Sequence, residues 1–301
     1  MANYNILIIG GSGFVSGTLA RTALNQGHQV WTMTRGQRPV PDGVTSLVVD
    51  RKDQDAFARV VTGTGLQWDL VVDCIGYDLA DARQDVALFR DRAQQFVFIS
   101  TDFVYEPSRR RFPQAEESDY YLTEGYGGKK RLCELEFLNA ETGGMAWTIL
   151  RPCHIYGPGS LLGCLSLHSR DPELIAKLRA GETLKLAGGG HFLQQPILAR
   201  DLAALILSVF GNETCNQQIY CAAGPDMIES RTYYRLIADV LGVALSIEET
   251  PVDQHLAAQP GLAPFLCHRI YDLTKLKSSG LAVPSTPIEQ GLAEHVESLL
   301  S

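Results

Sequence analysis

Three residues between positions 101 and 130 have the types and the spacing needed to move a proton. Tyr126 and Lys130 are four residues apart, so on a helix both side chains project from one face, one turn apart. A nearby cation favours the ionised form of a phenol, which otherwise titrates near pH ~10. Thr101 ends an apolar run, and a hydroxyl at a strand end can hold a substrate oxygen. A packed Tyr and a solvated Lys fit the same pattern, so its interpretation depends on the preceding chain.

A glycine-rich turn near the start of the chain supplies that context. The apolar run 6–9 breaks into glycines, and a helix-like stretch follows. Glycine allows close backbone approach, and the free amides at a helix start favour an anion, so this order predicts a dinucleotide pyrophosphate site. Ser16 stands where a third glycine is expected, and it is small enough to keep the helix packed on the strand. The residues predicted to contact the cofactor here are Gly10, Gly13, Phe14 and Val15.

Strand-like and helix-like segments alternate along the first half of the chain. The predicted strands are residues 6–9, 29–34, 46–49, 70–73, 96–99 and 147–150, and helical patterns lie between them at 53–61, 80–90 and around Tyr126. Apolar strands that alternate with helices predict an α/β fold, a Rossmann-type doubly wound parallel sheet covered on both faces. We expect residues 1–157 to form the dinucleotide-binding domain. Residues 158–301 are expected to form a smaller C-terminal α/β part that binds the substrate.

The end of the second strand bears on the choice of cofactor. NAD enzymes usually place a carboxylate there for the ribose 2′-hydroxyl, whereas this chain has Arg35. A guanidinium suits a 2′-phosphate, so NADP is favoured and NAD remains an alternative; an Arg in a solvated loop is the other interpretation. Asp50 is a candidate to bind the adenine amino group, with Arg51 beside it. Cys74 and Gly76 follow the fourth strand, where a cofactor ribose would pass.

Composition argues against several classes of protein. The chain has 301 residues, of which 45% are hydrophobic, and a net charge of −8, which disfavours binding to a nucleic-acid backbone. No apolar run approaches the ~20 residues of a membrane span, and no basic-then-apolar signal region precedes the first strand. The seven cysteines are scattered along the chain and form no C-x-x-C pair. This pattern indicates reduced thiols, a cytoplasmic protein and no metal site.

Taken together, these residues resemble the extended short-chain dehydrogenase/reductase family of nucleotide-sugar epimerases, dehydratases and reductases, with a glycine pattern closer to its atypical branch. The resemblance rests on the glycine turn, the Thr101–Tyr126–Lys130 spacing, and residues 151–158, 192–201, 272–275 and 280–291. It implies chain crossings between the two parts and a homodimer that pairs through the Tyr126 helix. It also implies that Tyr126 is the acid/base and that Lys130 lowers its pKa and binds the nicotinamide ribose. Thr101 would hold the substrate oxygen, and Pro152 would lie beside the nicotinamide.

The chain departs from the family's 4,6-dehydratases next to the catalytic Thr. Those enzymes follow it with Asp and Glu, whereas here Asp102 is followed by Phe103, which cannot remove a proton. The pattern looks more like the family's 4-keto-sugar reductases, and Asp102 either contacts the substrate or caps a local turn. His154 and His191 are further candidates for substrate contact or packing. Arg269 is a candidate cation for a nucleotide diphosphate.

The residues therefore favour an NAD(P)-dependent oxidoreductase or epimerase that acts on a nucleotide-activated sugar or a related small hydroxy or keto substrate. Two alternatives are a non-catalytic NAD(P)-sensing regulator and an RNA-associated member of the atypical branch. The intact Thr101, Tyr126 and Lys130 argue against a sensor, which needs no polarised phenol. The net charge of −8 argues against an RNA-associated protein.

Overall fold

The computed structural model describes residues 3–301, apart from the side chain of Ser166. Its strands are β1 (Asn5–Ile9), β2 (Gln29–Thr34), β3 (Thr45–Val48), β4 (Trp68–Asp73), β5 (Ala93–Ile99), β6 (Ala146–Pro152), β7 (Ile155–Tyr156), β8 (Leu184–Ala187), β9 (Leu193–Gln194), β10 (Ile197–Leu198), β11 (Gln218–Ala222), β12 (Ile228–Glu229) and β13 (Ile247–Thr250). Its α-helices are α1 (Phe14–Asn25), α2 (Gln54–Gly63), α3 (Leu79–Phe89), α4 (Gly125–Asn139), α5 (Leu174–Arg179), α6 (Ala199–Ser208), α7 (Ser230–Leu241), α8 (Val252–Ala258), α9 (Thr274–Ser278) and α10 (Ile288–Leu300).

Seven parallel strands form the central sheet, in the order β11-β6-β5-β4-β1-β2-β3. The chain runs outward from β1 to β3, then returns to β4 on the other side of β1 and runs outward again. The prediction of a Rossmann-type doubly wound parallel sheet is confirmed. The reversal lies between β1 and β4, and ligands bind at the carboxyl ends of the strands at such a point.

Alternating side chains of β1 explain why helices cover both faces of the sheet. Ile6 and Ile8 lie in the apolar cluster that contains residues of α1 and α6. Leu7 and Ile9 point the other way, into the cluster that contains residues of α2, α3 and α4. Since successive strand residues point to opposite faces, a strand without polar residues must be covered twice.

The part of the chain after residue 157 contributes to both halves of the molecule. Strand β11 pairs with β6 at the edge of the central sheet, and α6 supplies Leu202 and Ile206 to the cluster shared with α1. Its other strands, together with β7 just before residue 157, form three two-stranded ribbons, β7 with β10, β9 with β12 and β8 with β13. These ribbons, α5, α7 and α10 enclose a separate apolar cluster around Tyr156 and Tyr233. The chain therefore begins the C-terminal part with α5 and β8, returns to the sheet through α6 and β11, and then completes the C-terminal part.

Helix α5 begins at Leu174, three residues after Asp171. The Asp171 carboxylate accepts a hydrogen bond from the Glu173 amide, and the Asp171 carbonyl accepts one from Leu174. A turn around Pro172 therefore precedes the helix. No helix in residues 3–301 has the length and hydropathy required to cross a membrane.

Candidate active site

The glycine turn between β1 and α1 has backbone angles that suit only glycine. Gly10 and Gly11 have φ values of +117° and +124°, and a Cβ on Gly11 would lie 2.3 Å from Cγ2 of Thr32. Gly13 donates its amide to the Ser16 hydroxyl at 3.3 Å, and a Cβ on Gly10 would lie 3.2 Å from that of Ser16. Ser16 therefore packs against the turn in place of a third glycine. The exposed backbone ahead of α1 fits a pyrophosphate group.

A groove of about 460 Å³ extends from this turn towards the ends of β2 and β3. Arg35, predicted from the sequence, lines it together with Arg38, which the sequence analysis missed. Both arginines are exposed, and neither takes part in an ion pair within residues 3–301. The groove therefore presents two free guanidinium groups. Asp50 also lines it, with its carboxylate accepting the Lys52 amide at 2.9 Å.

Arg51 lines the same groove but is buried in a cluster of carboxylates. Its guanidinium lies 2.9 Å from Asp73, 3.2 Å from Asp81 and 3.0 Å from Asp85. Burial raises the pKa of Asp85 well above its ordinary value, because a carboxyl without water favours its neutral form. The Arg51 guanidinium thus fixes the end of β4 against α3. Its predicted contact with the cofactor stays a prediction, since Arg51 lines the groove while its guanidinium is paired with these carboxylates.

Thr101, Tyr126 and Lys130 line one cavity of about 780 Å³ at the carboxyl ends of β4, β5 and β6. Two glycines next to Tyr126 bring α4 close to the turn after β5. A Cβ on Gly127 would lie 1.9 Å from the Phe103 carbonyl oxygen, and one on Gly128 would lie 2.4 Å from the Thr123 carbonyl carbon. A larger residue at Gly127 would push the helix, and Tyr126 with it, away from the turn after β5. Val15, Cys74 and Pro152, all predicted to contact the cofactor, line this cavity too.

The Lys130 side chain is buried and donates hydrogen bonds to two backbone carbonyls. Its Nζ lies 2.5 Å from the Ile99 oxygen and 2.7 Å from the Gly76 oxygen. Burial lowers the pKa of Lys130, although the Asp73 carboxylate opposes this effect. An ammonium has three donors, so one remains for a phenol or a ribose hydroxyl. Gly76 therefore positions Lys130 through its carbonyl.

The pKa of Tyr126 is raised to about 12, first by burial and then by the neighbouring Tyr77. Interaction with the Thr101 hydroxyl acts in the opposite direction. The lowering of this pKa by Lys130 that the resemblance implies stays a prediction, and in this structure the Lys130 ammonium is bonded to two backbone carbonyls. At neutral pH the Tyr126 phenol carries its proton.

Charged groups beneath α4 hold it against the sheet. Glu134 accepts hydrogen bonds from Arg151 at 2.8 and 2.7 Å and from the Ser100 hydroxyl at 2.6 Å. All three are buried, and a bidentate pair between Arg and a carboxylate fixes both position and orientation. The helix that carries Tyr126 is thereby fixed to β5 and β6.

Asp102 and Phe103 have different surroundings in this cavity. The buried Asp102 carboxylate is bonded to Arg269, Arg110 and Tyr271. The Phe103 ring packs edge-to-face against Phe265, with centroids 4.8 Å apart. Arg269, predicted to bind a diphosphate, is therefore engaged with a carboxylate even though it lines the cavity. Phe103 forms part of an apolar wall.

The two candidate histidines lie in different places. His154 lines the cavity, and burial, reinforced by the charges of Arg269 and Arg170, lowers its pKa to about 3. Its ring is therefore neutral and able to donate or accept a hydrogen bond. His191 is not among the residues that line the cavity. It is exposed, and its ring nitrogens bond to Glu229 at 3.1 Å and to Arg231 at 2.8 Å, so the predicted substrate contact has no support here.

Phe14 and several residues that the sequence analysis missed complete the site. Phe14 begins α1, and its ring lies beside Gly159, where a Cβ would approach it to 3.6 Å. Tyr77 lines both the groove and the cavity, and its ring centroid lies 6.4 Å from that of Tyr126. Arg170 and Phe265 also line the cavity. Tyr77 lies next to the predicted turn at Gly76, and Phe265 lies in the stretch 256–269 that could face a substrate, but nothing in the sequence pattern marks Arg170.

Comparison with protein families gives a match over most of the chain. The model of the NAD dependent epimerase/dehydratase family matches residues 6–222. The chloroplast stem-loop binding protein of 41 kDa b from Arabidopsis thaliana is 28% identical over 73% of this chain, and the match spans 58% of that protein. A 2-alkyl-3-oxoalkanoate reductase from Stenotrophomonas maltophilia is 26% identical over 95% of this chain and 97% of its own length.

Solved structures share the fold at low sequence identity. A UDP-glucose 4-epimerase from Thermotoga maritima, crystallised with UDP-glucose, has a TM-score of 0.78 at 18% identity, covering 98% of both chains. A UDP-N-acetylglucosamine 4-epimerase from Methanobrevibacter ruminantium has a TM-score of 0.81 at 17% identity, covering 100% of this chain and 99% of the other. At these identities the likeness extends to the fold.

Proposed function

The chain belongs to the NAD dependent epimerase/dehydratase family, and from this premise we propose that it is an NAD(P)-dependent oxidoreductase or epimerase. Its substrate is a nucleotide-activated sugar or a related small hydroxy or keto compound. The observation that carries the proposal is the single cavity lined by Thr101, Tyr126 and Lys130 beside the glycine turn. Relatives and structural neighbours include epimerases, reductases and a dehydratase.

The residues around the turn fit a dinucleotide. Gly10 and Gly13 would face the pyrophosphate, with the amides ahead of α1 as donors. Pro152 and Cys74 would flank the nicotinamide end, and the remaining donor of Lys130 would reach the ribose. When bound, the nicotinamide supplies or accepts a hydride.

Tyr126 and Thr101 would handle the substrate oxygen. The phenol is protonated at neutral pH because its pKa is about 12, so in the direction of reduction it donates a proton to that oxygen. The Thr101 hydroxyl orients the same oxygen. The buried ammonium of Lys130 places a positive charge beside the site and so favours the phenolate that remains.

NADP is the proposed cofactor, although the family is described as NAD dependent. Arg35 and Arg38 support this choice, because both line the groove at the ends of β2 and β3, where the adenine end of the cofactor would lie. Neither has an ion-pair partner within residues 3–301. A 2′-phosphate would be held by charge-assisted hydrogen bonds from these groups. Asp50 lines the same groove and is the proposed contact for the adenine amino group.

An RNA-associated role is a second candidate because one relative is a chloroplast stem-loop binding protein. The net charge of −8 opposes it, since binding to a phosphate backbone requires a basic surface. Binding of a stem-loop RNA in a gel-shift assay, together with no cofactor oxidation in the substrate screen below, would favour this candidate.

We also propose that the protein is a homodimer that pairs through α4. Leu132 and Leu138 support this, because each is 43% exposed on that helix while Tyr126 faces the cavity. Sedimentation at micromolar concentration should show a dimer. A Leu132→Glu and Leu138→Glu double variant should sediment as a monomer, and a parent that is itself monomeric contradicts the pairing.

The experiment that tests the function combines cofactor binding with a substrate screen. Titration with NADPH and NADH should quench the protein fluorescence, with tighter binding of NADPH. UDP- and dTDP-linked hexoses and a series of oxo acids are then screened for cofactor oxidation and for epimer formation. Failure to bind either cofactor would overturn the proposal.

A further inference from the structure

We propose that Arg170 is the substrate's anion-binding residue, and that the substrate is an oxo or hydroxy acid with one anionic group and an apolar remainder. This inference rests on the proposed oxidoreductase function and narrows its substrate class. It is supported by the position of Arg170, by its lack of partners among the described residues, and by the apolar character of the surrounding wall.

Arg170 lies in a loop whose backbone is unusually constrained. Its φ is +50°, which is uncommon for a residue with a side chain and is often found at functional sites. The Arg170 amide donates to the Gly163 carbonyl at 3.3 Å. Gly163 has a φ of +110°, and a Cβ there would lie 1.5 Å from the His168 oxygen. The tight loop therefore fixes the point from which Arg170 lines the cavity.

The Arg170 guanidinium is accessible and has no partner within the part of the chain that the structure describes. The residue is exposed, and its side chain makes no hydrogen bond or ion pair with any residue in the range 3–301 that the structure describes. The other two cations that line the cavity are engaged, since Lys130 bonds to backbone carbonyls and Arg269 bonds to Asp102. Among the described residues, Arg170 is thus the cation left to bind a ligand in this cavity.

The charge of Arg170 reaches the reacting groups. It favours the ionised form of the Tyr126 phenol and the neutral form of His154. Both side chains line the same cavity as Arg170. An acid bound at Arg170 would therefore lie near the neutral His154 imidazole and within the electrostatic range of Tyr126.

The rest of the cavity suits an apolar chain and does not suit a polyanion. Phe103 and Phe265 form an edge-to-face pair with centroids 4.8 Å apart, and Leu122, Ala263 and Pro264 extend this apolar surface. The carboxylates of Glu106 and Glu124 also line the cavity and would repel a diphosphate. A single free guanidinium can bind a single carboxylate of the substrate through charge-assisted hydrogen bonds.

The test compares acids with their neutral esters. Calorimetry measures the binding of 2-oxooctanoate, 3-oxooctanoate, their methyl esters and UDP-glucose to protein saturated with oxidised cofactor, which cannot supply a hydride to the oxo acids or their esters. At least one acid should bind the parent more tightly than its ester. Arg170→Gln should weaken binding of that acid by about 10- to 100-fold and leave the ester unchanged, whereas Arg170→Lys should recover part of the loss.

Two further variants keep the test decisive. Arg170→Gly suits the positive φ, so it should fold even if Gln does not, and it should lose the same affinity. Arg179→Gln removes an exposed arginine of α5 that does not line the cavity, and it should bind like the parent. Equal binding of acid and ester, no binding of either acid, or preference for UDP-glucose would overturn the inference. Failure to bind cofactor would instead defeat the proposed function.

Discussion

The Asp102 carboxylate and the Arg269 guanidinium are joined by two hydrogen bonds, of 2.7 Å from Nε and 3.0 Å from Nη2, across 167 positions of the chain. Arg110 and Tyr271 bond to the same carboxylate. Burial by itself would raise the pKa of Asp102, but the charges of Arg269 and Arg110 hold it below its ordinary value. Asp102 therefore anchors the C-terminal segment beside Thr101, and its carboxylate is not free to donate a proton.

Asp102→Asn should strongly destabilise the protein. The change leaves the buried cations Arg269 and Arg110 without a counter-charge, and breaking a buried ion pair costs about 3–5 kcal/mol. Urea unfolding gives the change in free energy of unfolding. Asp119→Asn is the matched control, since Asp119 pairs with Arg111 on the surface with both side chains about three-quarters exposed, and it should cost less than about 1 kcal/mol. Equal losses in the two variants would contradict the anchoring role.

Acid should remove the contribution of Asp102 to the free energy of unfolding in a defined range of pH. Its pKa is lower in the folded protein than its ordinary value, which is near ~3.9 in an unfolded chain. The stabilisation is therefore fully present above about pH 4, and it is lost as the pH falls from there through the folded pKa. The stability difference between the parent and Asp102→Asn should be constant from pH 7 to 5 and shrink below pH 4. Urea unfolding across this range checks it, and a difference that shrinks above pH 5 would contradict it.

The sequence was sufficient for six of the seven strands of the sheet because apolar runs mark them, whereas β11 lies in the part that was expected to bind the substrate. Residues 6–9 and 96–99 contain no polar residue, so both faces of these strands must be covered by helices. The Tyr126 helix followed from its spacing to Lys130. The C-terminal α10 was missed, although Ile288, Leu292 and Val296 are spaced four apart and are buried.

The partners of charged residues could not be predicted from the sequence. Asp102 and Arg269 are far apart in the chain, and whether an arginine is free or paired depends on which residues the fold brings together. Arg269 and Arg170 look equivalent in the sequence, yet one is buried against a carboxylate and the other is exposed. The positive φ of Arg170 likewise results from the closure of its loop.

Cofactor choice should depend on Arg35 and Arg38. Arg35→Ala removes a charge from the groove, and a charge-assisted hydrogen bond is worth about 1.5–3 kcal/mol. NADPH affinity should therefore fall by one to two decades while NADH affinity changes little, and Arg38→Ala should act in the same direction. Fluorescence titration with both cofactors measures this, with Arg59→Ala on α2 as an exposed control outside the groove. An equal loss for NADPH and NADH would rule out a 2′-phosphate contact.

The matched variants for the chemical step are Tyr126→Phe and Lys130→Met. Tyr126→Phe keeps the ring and removes the hydroxyl, so the fold and the cofactor affinity should be preserved. Lys130→Met removes a buried ammonium that is bonded to the Ile99 and Gly76 carbonyls. This variant should lose both turnover and cofactor affinity, because Lys130 would serve the phenol and the ribose together.

Tyr126→Phe should lower turnover by about 10²- to 10⁴-fold, which is the usual contribution of general acid–base catalysis. The physical reason is that the protonated phenol, with a pKa of about 12, is the proposed proton donor beside Thr101 in the cavity. Turnover is measured on the substrate that the screen identifies, and dissociation constants are measured for the same cofactor. Thr101→Val should slow turnover and leave cofactor affinity unchanged. If Tyr126→Phe turns over within a few-fold of the parent, the proton comes from another group, and the neutral His154, which lines the same cavity, becomes the next residue to substitute.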